Sequence, residues 1–167
     1  MIGLRQETIA DINAIQAIYA EAFGRPDEGL LVDRLRTGGL IIVSLVAVHE
    51  AQVVGSVILS DVTIQTDGWS IAAVALAPLA VRPAHQRQGI GAALVRESLR
   101  LCTQHGKAAA LVLGDPSYYR RFGFSSALAA PIKSPWSGPA WMALELIPEV
   151  LRDVKGSVAY PDAFQDV

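Results

Sequence analysis

Charged side chains are scarce in this chain: Asp, Glu, Lys and Arg make up 18 % of its 167 residues, against roughly 25 % in an average domain. The formal net charge is -2, so the chain has no overall basic excess to draw a phosphate backbone, and no nucleic-acid partner is expected. Cysteine is nearly absent. The one residue, Cys102, excludes an intramolecular disulfide and fits a reducing compartment. With three scattered histidines and no His-Glu-x-x-His, no ligand spacing for a metal is present and none is expected. There is no Gly-x-Ser-x-Gly, which removes the serine-hydrolase elbow. Long hydrophobic runs are missing too. The central uncharged run, residues 68–81, is interrupted by Pro78 and is shorter than the roughly 18 apolar residues a spanning helix needs. Residues 1–7 show no basic region leading into an apolar stretch, residue 2 is Ile rather than Gly, and the C-terminus carries no Cys. No signal peptide or common lipid anchor is therefore read. These absences predict no membrane partner and a cytoplasmic protein.

What the chain does have is apolar surface: 51 % of residues are hydrophobic and the mean hydropathy is +0.35. That is ample to build a core, and the length suits a single domain over residues 1–167. Residues 2–6 read as a first strand. Thr8 and Asp11 form a capping box before Ile12, Ile15, Ile18, Tyr19, Ala22 and Phe23, which recur at helical spacing. Gly24-Arg25-Pro26 ends that helix, and Asp27 is placed to cap a second one. The β-branched runs 41–48 and 53–64 flank His49-Glu50-Ala51-Gln52 and predict a hairpin. A long apolar strand follows at 71–81, then a polar loop at 82–88 and a helix from about Gly89 to His105, stopped by Gly106. A strand at 109–113, a short helix at 116–122 and a strand at 141–146 complete the pattern. The order predicts an α/β (α+β) fold, a mixed sheet with helices on both faces. Pro78 cannot donate a ladder hydrogen bond, so its strand should bulge or part from a neighbour there.

Chemistry concentrates where the strand Leu79-Ala80-Val81 enters the polar loop and two glycines open a helix. The first N–H groups of a helix lack internal partners and sit at its positive end. Glycines at 89 and 91 leave room for an anion to reach them. A P-loop is excluded, because Gly106-Lys107 is followed by Ala108. A dinucleotide fingerprint fits poorly: Leu94 stands where a third Gly or Ala belongs, and the seven-residue loop 82–88 intervenes, although Asp115 lies at a distance suited to a ribose-binding acid. Gln86-Arg87-Gln88-Gly89-Ile90-Gly91 instead satisfies Gln/Arg-x-x-Gly-x-Gly/Ala. This segment resembles motif A of the GCN5-related N-acetyltransferase (GNAT) superfamily. Tyr118-Tyr119-Arg120-Arg121-Phe122-Gly123-Phe124 resembles the same family's Tyr-x-x-x-Gly-Phe signature, and the order of elements agrees from Ile2 to about Leu146. Leu76-Ala77-Pro78-Leu79-Ala80-Val81, Leu113-Gly114-Asp115-Pro116-Ser117 and the tail after Ala140 are similar to the bacterial YhbS-type branch.

The resemblance implies the acyl-CoA N-acyltransferase fold, a mostly antiparallel sheet with strands splayed at the cofactor site. It implies a core at about 2–146 and a C-terminal extension at 147–167. Acetyl-CoA is the implied cosubstrate. Its pantetheine arm would pair with the backbone of Leu79, Ala80 and Val81, and its pyrophosphate with the N–H groups of Gln86, Arg87, Gln88, Gly89, Gly91 and Ala92. Tyr119 aligns with the tyrosine near the thioester sulfur, where a phenol can protonate a leaving thiolate; packing under the cofactor is the plainer alternative, and Tyr118 is its neighbour. The implied reaction is direct attack of an amine in a ternary complex, with an N–H near Leu79 available for oxyanion stabilisation.

Two departures stand out. Val112 occupies the position where many members carry Asn, seven residues before the tyrosine, and Asp115 or Ser117 would have to replace its contact. No general base is legible; Glu21, Asp61 and His85 are the candidates. Cys102 reads as a buried packing residue on the motif-A helix, and Trp136 either lines an acceptor cleft or anchors the 131–139 loop. The expected activity is N-acetylation of a small-molecule amine. A protein acceptor, or a non-catalytic acyl-CoA sensor, stands as the alternative. The family's habit of pairing through sheet edges or C-terminal segments leaves a homodimer open.

Overall fold

The β-branched runs form the frame of the computed structural model, which describes residues 1–165. Strands β1 (Ile2–Gln6), β2 (Ile41–His49), β3 (Gln52–Thr66), β4 (Ser70–Val81), β5 (Ala109–Leu113) and β7 (Trp141–Glu145) lie in that order across one sheet. Each neighbouring pair is antiparallel except β4 and β5, which run parallel. The turn between β2 and β3 is narrower than the four residues the sequence suggests. His49 pairs with Gln52, and Glu50 and Ala51 both take positive φ, as a two-residue hairpin with the matching twist requires.

Helices cover both faces. Helices α1 (Ile12–Phe23) and α2 (Asp27–Thr37) bury Ile15, Ile18, Leu31, Val32 and Leu35 against one side. Helix α3 (Ile90–Gln104) buries Ile90, Leu94, Val95, Leu99 and Cys102 against the other. Burial pushes the Cys102 thiol up to about 12, so this residue packs as a hydrophobe and is not a reactive thiolate. Asp27 is the first residue of α2 and Pro26 its cap, a one-place shift from the cap expected. Pro leads into a first turn easily because no partner awaits its missing N–H. No helix among the described residues is long and apolar enough to cross a membrane.

The capping box at Thr8 and Asp11 is present and is reinforced by a residue the pattern did not reveal. Arg5, on β1, grips both Asp11 oxygens at 2.7 and 3.0 Å, while Thr8 N–H donates to Asp11 Oδ2 at 2.7 Å. The Arg5 hydrogen bonds, aided by Thr8, hold the Asp11 carboxyl down to about 2, below the roughly 3.9 of a free aspartate. A depressed carboxyl stabilises the fold fully above about pH 4 and ceases to do so as pH falls through its folded value. Asp11→Asn should therefore lower the melting temperature at pH 7, and the gap to the parent should narrow as melts are repeated toward pH 2.

Three elements escaped the sequence pattern: α5 (Ser126–Ala129), β6 (Ile132–Lys133) and β8 (Gly156–Val158). Beyond Ser60, where its pairing with β2 ends, β3 takes β8 as an antiparallel partner at Ile64–Thr66. The segment after Leu146 thus returns to the sheet, bringing Tyr160 and Phe164 to the end of α2 and β4. Between β5 and α5 lies α4 (Pro116–Tyr119), capped by Asp115, whose side chain accepts from Ser117 N–H.

Candidate active site

The break at Pro78 creates the site. On the β3 side, Val57 pairs with Leu79 but Leu59 pairs with Leu76, so Ala77 and Pro78 both face Ile58 as a bulge. On the other side, β4 follows β5 only over Ala73, Val74 and Ala75. Beyond that, β5 continues along β7 as far as Leu113–Trp141, and among the described residues the edge of β4 from Ala77 onward has no strand beside it. Backbone groups on such an edge can take an extended ligand as an added strand.

A residue read only as helix core pins the bulge. The fully buried Tyr19 hydroxyl lies 3.1 Å from the Pro78 carbonyl and 2.9 Å from Ser56 Oγ. Burial raises its phenol well above the usual range, so it stays a donor. Tyr19→Phe would strand buried polar atoms, at a cost of about 1–3 kcal/mol. Chemical denaturation should register that loss.

Beyond Val81 the chain makes one turn of 3-10 helix (Pro83–His85) and enters the motif-A loop. Arg87 and Gly89 both take positive φ, 63° and 82°, turning the backbone so that α3 starts at Ile90. The helical ladder begins with Ala93 N–H donating to Gly89, which leaves the N–H groups of Ile90, Gly91 and Ala92 without intrahelical acceptors. Gly91 is small for a reason: a Cβ there would sit 2.7 Å from the Tyr118 hydroxyl.

These elements enclose a groove of about 500 Å³. Of the nine expected cofactor-contact residues, Leu79, Ala80, Val81, Gln86, Arg87, Gly89, Gly91 and Ala92 line it. Gln88 is exposed and is not among the residues lining it. Gln86 is a partial exception, because its N–H already donates to Pro83 (3.3 Å) and its side-chain amide to Val81 (2.9 Å). Gln86 thus braces the loop. Two lining residues carried no clear signal: Tyr118, and Arg121, whose guanidinium stacks 4.5 Å from the Tyr118 ring centroid. Two guanidiniums, Arg87 and Arg121, therefore border the groove.

A second chamber of about 470 Å³ meets the first at Phe23 and Leu79. Tyr119 lines it, laid against Gly114 so closely that a Cβ there would be 2.5 Å from the ring. Its ring packs edge-on against Phe124 at 5.7 Å. Burial pushes the phenol above the usual range, with no hydrogen bond opposing it. Tyr118 and Tyr119, adjacent in sequence, thus divide between the chambers.

The three candidate bases fall outside this second chamber. Glu21 is held by Arg82 at 2.6 Å and Asp61 by Lys107 at 2.8 Å. His85 lines the first groove, its ring edge-on to His49. The carboxylates that do line the second chamber are Glu28 and Asp115. Trp136 both lines the chamber and packs edge-on against Tyr160, at 4.6 Å. Val112 is buried and pairs with Met142, so the position itself carries no polar side chain.

Comparison with known proteins agrees with this geometry. A family model described as an acetyltransferase (GNAT) domain matches residues 4–127. The chain is 36 % identical over 164 residues to YhbS of Escherichia coli strain K12, described as an uncharacterized N-acetyltransferase, covering 96 % of this chain and 97 % of that one. The crystal structure of the GNAT family N-acetyltransferase YhbS from Escherichia coli in complex with CoA matches with a TM-score of 0.88 at 34 % identity, over 98 % of this chain and 91 % of that one. A GNAT family acetyltransferase from Brucella melitensis in complex with acetyl-CoA gives 0.80 at 32 % identity, over 98 % of both chains. With this family model over most of its length and these relatives above 30 % identity, the chain belongs to the GNAT acetyltransferase family.

Proposed function

We propose that this chain transfers the acetyl group of acetyl-CoA directly to a small primary amine in a ternary complex. The observation that carries the reading is the meeting of two chambers at Leu79, one floored by free helical N–H groups and the other faced by Tyr119. The Brucella melitensis relative is crystallised with acetyl-CoA and YhbS with CoA, and the groove suits the same ligand. Its N–H groups at Ile90, Gly91 and Ala92, with those of Arg87 and Gly89, would hold the pyrophosphate, and the guanidiniums of Arg87 and Arg121 would add charge. The open edge at Leu79, Ala80 and Val81 would take the pantetheine amides.

When bound, acetyl-CoA supplies an activated acyl carbon and a thiolate leaving group. In the exchange the amine nitrogen–carbon bond forms and the carbon–sulfur bond breaks. Tyr119 donates its phenolic proton to the departing sulfur. The amine must lose a proton, and the described residues lining the second chamber include no histidine, while Glu28 is held by Arg25. Asp115 accepts from both the hydroxyl and N–H of Ser117, which lower its carboxyl. That proton therefore leaves through water, and proton exchange with solvent restores the phenol. Leu79 N–H lies at the junction where an oxyanion would form.

Initial-velocity patterns test the direct transfer. Lines for acetyl-CoA against amine that intersect support a ternary complex. Parallel lines would mean an acetylated enzyme and overturn it.

A further inference from the structure

The second chamber also carries information about what it accepts. Its walls are apolar and largely aromatic: Phe23, Leu31, Pro78, Trp136, Tyr160 and Phe164. The aromatic rings brace one another, Tyr160 standing edge-on to Trp136 at 4.6 Å and to Phe164 at 4.9 Å. Such a wall takes a flat ring well, because edge-to-face pairs add to the gain from burial.

The charges are arranged one-sidedly. Arg25 is the one cation among the described lining residues, and it is already occupied. Glu28, 5 % exposed, receives Arg25 Nε at 3.0 Å and Nη2 at 2.5 Å, and Asp27 lies 3.6 Å from Nη1. The chamber therefore has no free positive group for a substrate carboxylate, and burying a carboxylate without a partner is costly. An ammonium meets the opposite situation. Both Ser117 hydrogen bonds fall on Oδ1 of Asp115, and no cation pairs with this lining carboxylate among the described residues.

We infer that this cleft selects an arylalkyl primary amine that carries no carboxylate: the ring lies against Trp136, Tyr160 and Phe164, and the amine is directed toward Asp115 and Tyr119. The inference rests on the acetyl-transfer reading above. It goes further by naming the substrate class and the device, the Arg25–Glu28 pair, that rejects amino acids.

The test uses the full chain and three acceptors that differ in one group: 2-phenylethylamine, phenylalanine and phenylalaninamide. Acetyl-CoA binding is measured first, by calorimetry, and thiol release second. The expected kcat/KM for 2-phenylethylamine exceeds that for phenylalanine by about 100-fold, the scale of discrimination from one unpaired buried group, and phenylalaninamide recovers most of the difference. Glu28→Gln frees Arg25 and should raise phenylalanine relative to 2-phenylethylamine by about tenfold. Tyr160→Ala should raise KM for 2-phenylethylamine by about tenfold while acetyl-CoA affinity stays within twofold. If acetyl-CoA binds but phenylalanine reacts as well as 2-phenylethylamine, or neither arylalkylamine speeds thiol release, the inference is overturned and the cofactor reading stands. If acetyl-CoA does not bind, both fall.

Discussion

Tyr119→Phe should lower kcat about 100-fold or more, the usual contribution of a positioned general acid, and leave the acetyl-CoA dissociation constant within about twofold of the parent value. The reasoning is geometric. Phenylalanine keeps the ring on Gly114 and its edge-on contact with Phe124, so only the hydroxyl is removed. An interaction made in the transition state alone lowers kcat and kcat/KM together. The pH profile gives an independent reading. Burial raises the Tyr119 phenol above its usual value, and a raised acid keeps its proton as pH climbs. Activity that depends on that proton should therefore persist through about pH 10, where a free phenol is half ionised. A kcat loss below about fivefold would assign Tyr119 to packing.

Gly91→Val should weaken acetyl-CoA binding by about 100-fold or more. A Cβ at 91 falls 2.7 Å from the Tyr118 hydroxyl and faces the groove floor. The phosphate would be pushed off the first-turn N–H groups, and two charge-assisted hydrogen bonds at about 1.5–3 kcal/mol each account for that loss. The fold should change little, since valine is no worse than glycine in the first turn of a helix. Circular dichroism melts taken alongside the binding titrations separate the two effects. An affinity within threefold of the parent, in a folded variant, would remove the start of α3 from the cofactor site.

Much of this architecture was legible because periodicity and punctuation agree. The β-branched runs of β2 and β3, the spacing along α1 and α3, and the stops at Gly24 and Gly106 each reflect a local rule. Pro78 was informative because proline cannot serve a central ladder, and the strand does bulge and part there. The groove on α3 was legible because glycines at 89 and 91 mark where its backbone lies open. The second chamber was not. It is assembled from residues at 23–31, 76–79, 113–119, 136 and 160–164, and an apolar side chain there has no pattern to distinguish it from core. Elements as short as β6 and β8 also leave no period to read, since long-range pairing, β8 with β3 and β6 with β8, decides their shape. Tyr19 looked like one more helix-face residue; only the fold brings its hydroxyl to the Pro78 carbonyl at the bulge. The ion pairs of Glu21 and Asp61 were not legible, because their partners, Arg82 and Lys107, are 61 and 46 residues away.

Calorimetric titration of the full chain with acetyl-CoA, repeated with CoA, bears most directly on the central claim that residues 79–92 hold this cosubstrate. The account predicts one site per chain for each ligand, with a dissociation constant of roughly 1–100 µM. No heat from either ligand at millimolar concentration, with the protein folded, would contradict it.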